Sequence, residues 1–130
     1  MPVLGNAEVE LSYVAHQGGS ARAAGIVMRF LDPLDFTVVE ADALVGDVRV
    51  IRVVNGERYP IAERAAPMAR ADHAQSLAVR AVDDAFEVML DGQRLFATRD
   101  GRVATPGRFG IWSRADSATV FGDLFITVLD

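Results

Sequence analysis

The sequence predicts an all-β fold, an antiparallel β-sandwich with at most one short helix. Three observations predict it. Apolar and polar residues alternate in short runs, Gly or Asx turn pairs separate these runs at intervals of roughly eight to twelve residues, and no long amphipathic helix lies between them. Because the strands of a parallel sheet are joined by long and usually helical crossovers, a parallel α/β architecture is disfavoured.

The first half of the chain predicts four strands and the start of a fifth. Residues 8–15 alternate between apolar and polar side chains, which is typical of a half-buried strand. Pro33 marks a turn after the second strand, because the residue before proline favours extended backbone. Asn55-Gly56 is the strongest hairpin signal, since a type I′ turn needs positive φ at both central residues. The predicted strands are Glu8–Ala15, Ala24–Phe30, Phe36–Ala41 and Val48–Val54, with a return strand through Ile61.

The second half repeats the same strand and turn pattern after one irregular stretch. Residues 65–75 show the weakest periodicity in the chain. The sequence allows either a short helix over Pro67–Ala74 or a surface loop in this stretch. Asp91-Gly92 predicts a second tight hairpin. The predicted strands are Leu77–Val82, Phe86–Leu90, a return strand that begins at Leu95, and a closing pair within Gly107–Val128, with further turns at Asp83-Asp84 and Asp100-Gly101.

The composition fits one domain, 1–130, with an ordered core over about residues 8–128. Cysteine is absent, which excludes disulfides, thiolate metal sites and a cysteine nucleophile. A net charge of −5 disfavours nucleic acid as a partner, because a duplex binder needs a basic stripe. No apolar run approaches the ~20 residues of a membrane span. No signal peptide is visible at the N-terminus, and the compartment stays open.

Three segments combine strands and turns in a recognisable way. Ala24–Leu44 contains Met-Arg-Phe-Leu-Asp-Pro, Phe86–Phe96 contains Val-Met-Leu-Asp-Gly, and Gly107–Leu124 contains Gly-Ile-Trp-Ser-Arg-Ala-Asp-Ser. Together they resemble a bacterial branch of the concanavalin A-like lectin/glucanase jelly rolls, close to laminin G-like and 3-keto-disaccharide-hydrolase-like domains. The resemblance covers about residues 8–128. It implies a jelly-roll sandwich and a glycan as the ligand.

The only tryptophan lies in the closing pair of strands and is the leading candidate for ligand binding. If Phe109 and Ile111 face the core, strand alternation turns Trp112 and Arg114 outward. An exposed indole beside a guanidinium suits a sugar, because the ring stacks on apolar C–H surface while the arginine donates paired hydrogen bonds. The alternative is that the tryptophan packs on a neighbouring strand or at a subunit interface.

A second candidate cluster lies on the strands that flank the Asp-Pro turn. Arg29 and Glu40 are expected on paired strands, where they form either a polar cluster in a concave cleft with Arg49 or Arg114, or a cross-strand ion pair. An exposed pair of this kind contributes only ~0–1 kcal/mol. The candidate ligand-binding residues are therefore Arg29, Glu40, Arg49, Trp112, Arg114 and Asp116.

No catalytic residue is predicted. The Glu-x-Asp-x-x-Glu pattern typical of glucanases on this fold is absent, although glycoside hydrolysis needs two suitably spaced carboxylates. His16 and His73 lack the spacing of zinc ligands. The resemblance implies one metal candidate, a structural calcium with Asp123 as a ligand. No other cofactor is expected.

These observations leave three functions open. The first is a non-catalytic, lectin-like carbohydrate-binding sandwich. The second is a glycoside-acting hydrolase of the 3-keto-disaccharide-hydrolase-like type, and the third is a structural or self-association domain. The expected partners are a glycan and, in the third case, a second copy of the chain. Nucleic acid and a membrane span are not expected.

Overall fold

Two antiparallel sheets of five strands each make up the computed structural model, which describes residues 5–16, 23–66, 69–99, 107–113 and 118–129. One sheet has the order β10-β1-β6-β7-β8 and the other the order β5-β4-β3-β2-β9. The predicted sandwich is confirmed. Its strands are β1 (Ala7–His16), β2 (Ala23–Asp32), β3 (Asp35–Asp42), β4 (Asp47–Val54), β5 (Glu57–Ala65), β6 (Ala74–Val82), β7 (Ala85–Leu90), β8 (Gln93–Arg99), β9 (Arg108–Trp112) and β10 (Ala118–Val128).

The two hairpin turns predicted from Asx-Gly pairs have the expected backbone. Asn55 and Gly56 have φ values of 51° and 78°, and Asp91 and Gly92 have values of 52° and 79°. Positive φ at both central residues is the signature of a type I′ turn, whose twist matches that of the flanking strands. These turns fix the register of β4 against β5 and of β7 against β8.

The irregular stretch before β6 contains turns rather than the helix that was left open. Ala69 donates from its backbone N–H to the carbonyl of Ala66, and Asp72 donates to the carbonyl of Ala15. Pro67, Met68 and the predicted Asp100-Gly101 turn lie outside the described residues. Within the described ranges, no helix is long and apolar enough to cross a membrane.

The main core lies between the two sheets and is built from the inward residues of each strand. Alternate residues of β1 are buried, as the sequence pattern predicted. Apolar side chains from both sheets pack together here, so this cluster stabilises the fold by close packing and by apolar surface removed from water. Its fully buried large apolar members are Leu11, Ile26, Met28, Leu77, Phe86 and Leu90.

Arg29 enters this core, which differs from the outward position expected for it. Its φ of 50° interrupts the alternation of β2, and the pairing of β2 with β3 shifts between Met28 and Asp32. The side chain is 1% exposed. Its guanidinium donates through Nη1 to the carbonyl of Asp83 and lies 5.4 Å from the centre of the Phe86 ring. A bulge therefore converts a predicted surface arginine into an interior one.

Tyr13 provides a test of the core in alkaline solution. Burial raises the pKa of its hydroxyl above the ordinary value of 10.0, and the charge of Asp91 raises it further. The stability contributed by the neutral phenol is therefore fully present below about pH 10. It is lost as the pH rises from there towards the folded-state pKa, by at most about 1.4 kcal/mol per pH unit.

We expect chemical denaturation to show this decline between pH 10 and pH 12, and the Tyr13→Phe variant to lack it. Lysine and cysteine do not contribute in this window, because the sequence contains neither. Tyr59, which is exposed, serves as the matched control through Tyr59→Phe. Equal alkaline slopes for the wild type and Tyr13→Phe would contradict the prediction.

Candidate functional site

One row of residues crosses all five strands of the β5-β4-β3-β2-β9 sheet through successive cross-strand pairs. From β5 to β9 this central row is Glu63, Arg49, Glu40, Gly25 and Trp112. The flanking residues of β3 and β4 pack into the core between the sheets, so the central row faces outward. Three of the predicted ligand-binding residues are therefore brought together: Glu40, Arg49 and Trp112.

The indole of Trp112 is fixed by a hydrogen bond that crosses β2. Its Nε1–H donates to Oε2 of Glu40 at 2.8 Å. Gly25 lies between the two, and a Cβ there would come within 3.1 Å of Trp112 Cδ1 and 2.7 Å of the Val39 carbonyl oxygen. Only glycine leaves room for the indole to lie against the strand. Glu40 is 0% exposed, so its role is to position the tryptophan rather than to touch a ligand.

Arg49 is the polar neighbour of this pair. It lies opposite Glu40 in the register of β3 and β4, and its Nη2 donates to Oδ2 of Asp47 at 2.7 Å. The side chain of Arg49 keeps partial access to solvent while that of Asp47 is nearly buried. The carboxylate therefore orients the guanidinium without covering it.

An aromatic cluster continues the outward face next to the central row. The rings of Phe30 and Phe36 have centroids 5.7 Å apart, and those of Phe36 and Trp112 are 6.1 Å apart, both in tilted arrangements. Such geometry is favourable between aromatic side chains. The indole is therefore held both by this ring contact and by its hydrogen bond to Glu40. Its aliphatic members are Val27, Val38, Ile51 and Val53.

Two shallow cavities flank this cluster, one on the outward face and one around the β9 edge of the sheet. The first, here called the Trp112 hollow, has a volume of about 220 Å³ and is lined by Pro33, Leu34, Phe36, Val38, Val53, Gly56, Arg58 and Trp112. The second, here called the β9 hollow, has a volume of about 300 Å³ and is lined by Val27, Phe30, Arg108, Phe109, Gly110 and Ile111. In a cavity of this kind the apolar walls can pack against a sugar ring, and the guanidinium can donate hydrogen bonds to its oxygens.

The remaining sequence-predicted residues lie elsewhere. Arg29 is in the core between the sheets, away from the central row, and Arg114 and Asp116 lie outside the described residues. Asp123 is exposed on β10. In the part of the chain that the structure describes, no group of three His, Asp or Glu side chains could hold a metal. A structural calcium at Asp123 thus stays a prediction.

The side chains of β9 follow the predicted inward and outward directions only in part. Phe109 is buried in the main core, as predicted, and Trp112 packs on the outward cluster. Ile111 pairs with Ile26 on the inward side, but it is 49% exposed. The reason is that β9 is an edge strand, so no described strand pairs with it on its far side.

Among the residues that the structure describes, the two histidines belong to no group of three potential metal ligands. His16 Nδ1 lies 3.0 Å from Oδ1 of Asp72, and both side chains are about half exposed. Asp72 therefore contacts His16 rather than its sequence neighbour His73. The contact joins the end of β1 to the turn before β6 and lies outside both hollows.

Sequence reasoning missed Gly25 and the arginine that lines the Trp112 hollow. Counting outward from the Asn55-Gly56 turn pairs Val53 with Arg58, so the hairpin signal contained enough information to place Arg58 beside the outward cluster. Nothing in the sequence marks Gly25, because the need for a missing Cβ arises from a side chain that is 87 residues away along the chain.

Gly25→Ala tests the packing of the indole. We expect the new Cβ to displace Trp112 and to destabilise the fold by about 1–3 kcal/mol, since its nearest contact is with backbone. The emission maximum of the single tryptophan should shift to longer wavelength. Gly122→Ala is the control, because its Cβ would meet Ser12 at an ordinary 3.5 Å. An unshifted spectrum in Gly25→Ala would contradict the assigned geometry.

Comparison with known proteins gives structural but not sequence matches. No family model matches the sequence, and no curated protein matches it. Carbohydrate-binding module CBM66 from Bacillus subtilis matches with a TM-score of 0.85 and 23% identity, over 96% of this chain and 76% of that chain. Sheep galectin-11, in a complex with glycerol, matches with a TM-score of 0.72 and 8% identity, over 97% of this chain and 95% of that chain.

Glycoside hydrolases also contain this architecture. A mutant of the GH43 protein BlXynB from Bacillus licheniformis has a TM-score of 0.72 and 12% identity, over 96% of this chain but only 28% of its own. Together these structures show that the chain has the jelly-roll fold of concanavalin A-like lectins and glucanases, as the sequence resemblance implied.

Proposed function

We propose that this domain is a non-catalytic, lectin-like carbohydrate-binding module whose ligand occupies the Trp112 hollow. One observation carries the proposal: the single tryptophan is held in place on the outward face by Glu40 and Phe36 and forms one wall of an apolar cavity. A fixed indole offers its face to the C–H surface of a sugar at little cost in side-chain entropy.

Charge placement supports a sugar rather than a purely apolar ligand. Arg58 lines the same hollow, and Arg49 lies in the central row with β3 and β2 between it and Trp112 on β9. Guanidinium groups donate paired hydrogen bonds to vicinal hydroxyls or to acidic groups. The names of two similar structures, a carbohydrate-binding module and a galectin, agree with this reading, although a shared fold does not fix a function.

Hydrolysis is less well supported. A glycosidase needs two carboxylates on either side of the scissile bond, whereas no Asp or Glu is among the described residues that line the Trp112 hollow or the β9 hollow. The glycoside hydrolase BlXynB is also much longer, so this chain corresponds to only 28% of it.

A glycan array followed by fluorescence titration tests the proposal. We expect at least one glycan to bind and to change the emission of Trp112, the only tryptophan in the chain, with a saturable dependence on concentration. If no glycan binds and the emission stays constant, carbohydrate binding is ruled out.

Self-association is a second candidate because one edge strand exposes several large apolar side chains. β10 has 11 residues and lies at the edge of its sheet, with Val120, Phe125 and Val128 more than half exposed. Long apolar edges favour pairing with another strand. Light scattering tests this candidate: a mass of one chain at all concentrations counts against it.

A further inference from the structure

A second row on the outward face ends in an arginine at each edge of the sheet. Arg58 on β5 pairs with Val53, and Val53 pairs with Phe36. The ring of Phe36 contacts that of Phe30, and Phe30 pairs with Arg108 on β9. These five residues are called the arginine row. Because β5 and β9 are separated by four strand spacings, its two ends are about 19 Å apart.

Both terminal arginines are exposed. Neither Arg58 nor Arg108 forms a hydrogen bond or ion pair with the described part of the chain. Arg49, Arg94 and Arg99, by contrast, each contact a carboxylate. In a protein with a net charge of −5, these two positive charges remain available to a ligand.

Each arginine belongs to a different hollow. Arg58 lines the Trp112 hollow and Arg108 lines the β9 hollow, with the aromatic cluster between them. The described lining of both hollows is otherwise apolar. The surface thus presents two cavities with apolar walls, side by side, with a cation at each outer end.

We infer that the site takes an acidic oligosaccharide, one that carries carboxylate or sulfate groups, laid across the strands from β5 to β9. This inference rests on the proposed function and adds the chemical class of the ligand. A guanidinium binds a carboxylate or a sulfate through two parallel hydrogen bonds. The apolar floor between the arginines accepts the C–H faces of the sugar rings. A single sugar would engage only one hollow, so an oligosaccharide binds more tightly.

The test is a glycan array of matched pairs: uronic acid oligosaccharides with their carboxyl-reduced forms, and sulfated oligosaccharides with their desulfated forms. We expect the acidic member of a pair to bind roughly tenfold more tightly, as one charge-assisted contact contributes. The preference should fall as salt is raised from 20 mM towards ~300 mM, because exposed charges are screened. The two series of pairs distinguish carboxylate from sulfate as the preferred group.

Substitutions of the two arginines then test whether the arginine row causes the preference for acidic glycans. We expect Arg58→Gln and Arg108→Gln each to lose most of the acidic preference, which is the ratio of the affinities for the acidic and the neutral member of a pair. Arg80→Gln is the matched control, because Arg80 is also exposed on a strand but lies in the other sheet. It should retain the full preference.

The outcomes separate this inference from the function on which it rests. Equal or tighter binding of the neutral members would overturn the acidic ligand and leave carbohydrate binding intact. An acidic preference that both arginine variants retain would overturn the role of the arginine row. The absence of binding to any glycan would overturn the ligand class and the proposed function together.

Discussion

Replacing Trp112 with alanine is expected to lower glycan affinity by roughly thirtyfold or more. The indole forms a wall of the Trp112 hollow, and truncating a central aromatic anchor costs about 2 kcal/mol or more in binding sites of this kind. The loss has two sources: the stacking surface disappears, and the outward cluster around Phe36 loses its neighbour. Calorimetry is the suitable measurement, because the variant has no tryptophan left to report.

Two further variants divide this effect between the ring and its positioning. Trp112→Phe keeps an aromatic face but leaves Glu40 without the Nε1–H donor, so we expect intermediate affinity. Glu40→Gln keeps an acceptor for the indole and should bind nearly as well as the wild type. Glu40→Leu removes the acceptor and should resemble Trp112→Phe in affinity.

A control is needed because Trp112→Ala also removes packing. Val120→Ala deletes an exposed apolar side chain from the other sheet and should leave affinity unchanged. Thermal unfolding of each variant shows whether the fold survives. If Trp112→Ala is folded and binds the glycan like the wild type, the Trp112 hollow is not the binding site.

Replacing Gly107 with alanine is expected to cause the largest loss of stability of any single-methyl change considered for this protein. A Cβ at Gly107 would lie 2.4 Å from the carbonyl carbon of Arg29 and 2.5 Å from its Cα. Backbone atoms in a paired strand cannot move aside as a flexible side chain can. We therefore expect a cost at the upper end of overpacking, about 3 kcal/mol or more.

The strand that follows Gly107, β9, supplies a matched control. Gly110→Ala adds an identical methyl group, but its nearest neighbour is the Cβ of Val27 at 3.9 Å. Thermal unfolding should place Gly107→Ala roughly 10 °C below the wild type and Gly110→Ala close to it. Similar melting temperatures for the two variants would contradict the close approach of Gly107 to the bulge at Arg29.

Local signals in the sequence predicted most of the secondary structure. Asn55-Gly56 and Asp91-Gly92 each form the expected turn with positive φ, because a type I′ turn is decided by the residues within it. The alternation in β1 was equally reliable, since one face of that strand meets the core and the other faces solvent. In both cases the cause lies within a few residues of its effect.

The position of Arg29 could not be predicted from local sequence patterns. Strict alternation along β2 turns it outward with Val27, but positive φ at Arg29 and the accompanying bulge send it into the core. The guanidinium finds its partners at Asp83 and Phe86, more than fifty residues away. No pattern within β2 could reveal a partner that only the packing of the two sheets supplies.

The features of the candidate site also fall into two groups, those predicted from the sequence and those that required the tertiary structure. The sequence by itself determined the all-β sandwich, the hairpins and the outward direction of Trp112, because strand period and turn chemistry are local properties. Only the tertiary structure decided that Glu40 holds the indole, that Gly25 makes room for it, and that Arg58 and Arg108 mark the two ends of one row. These relations depend on the order of strands in the sheet, which brings together side chains from distant segments of the chain.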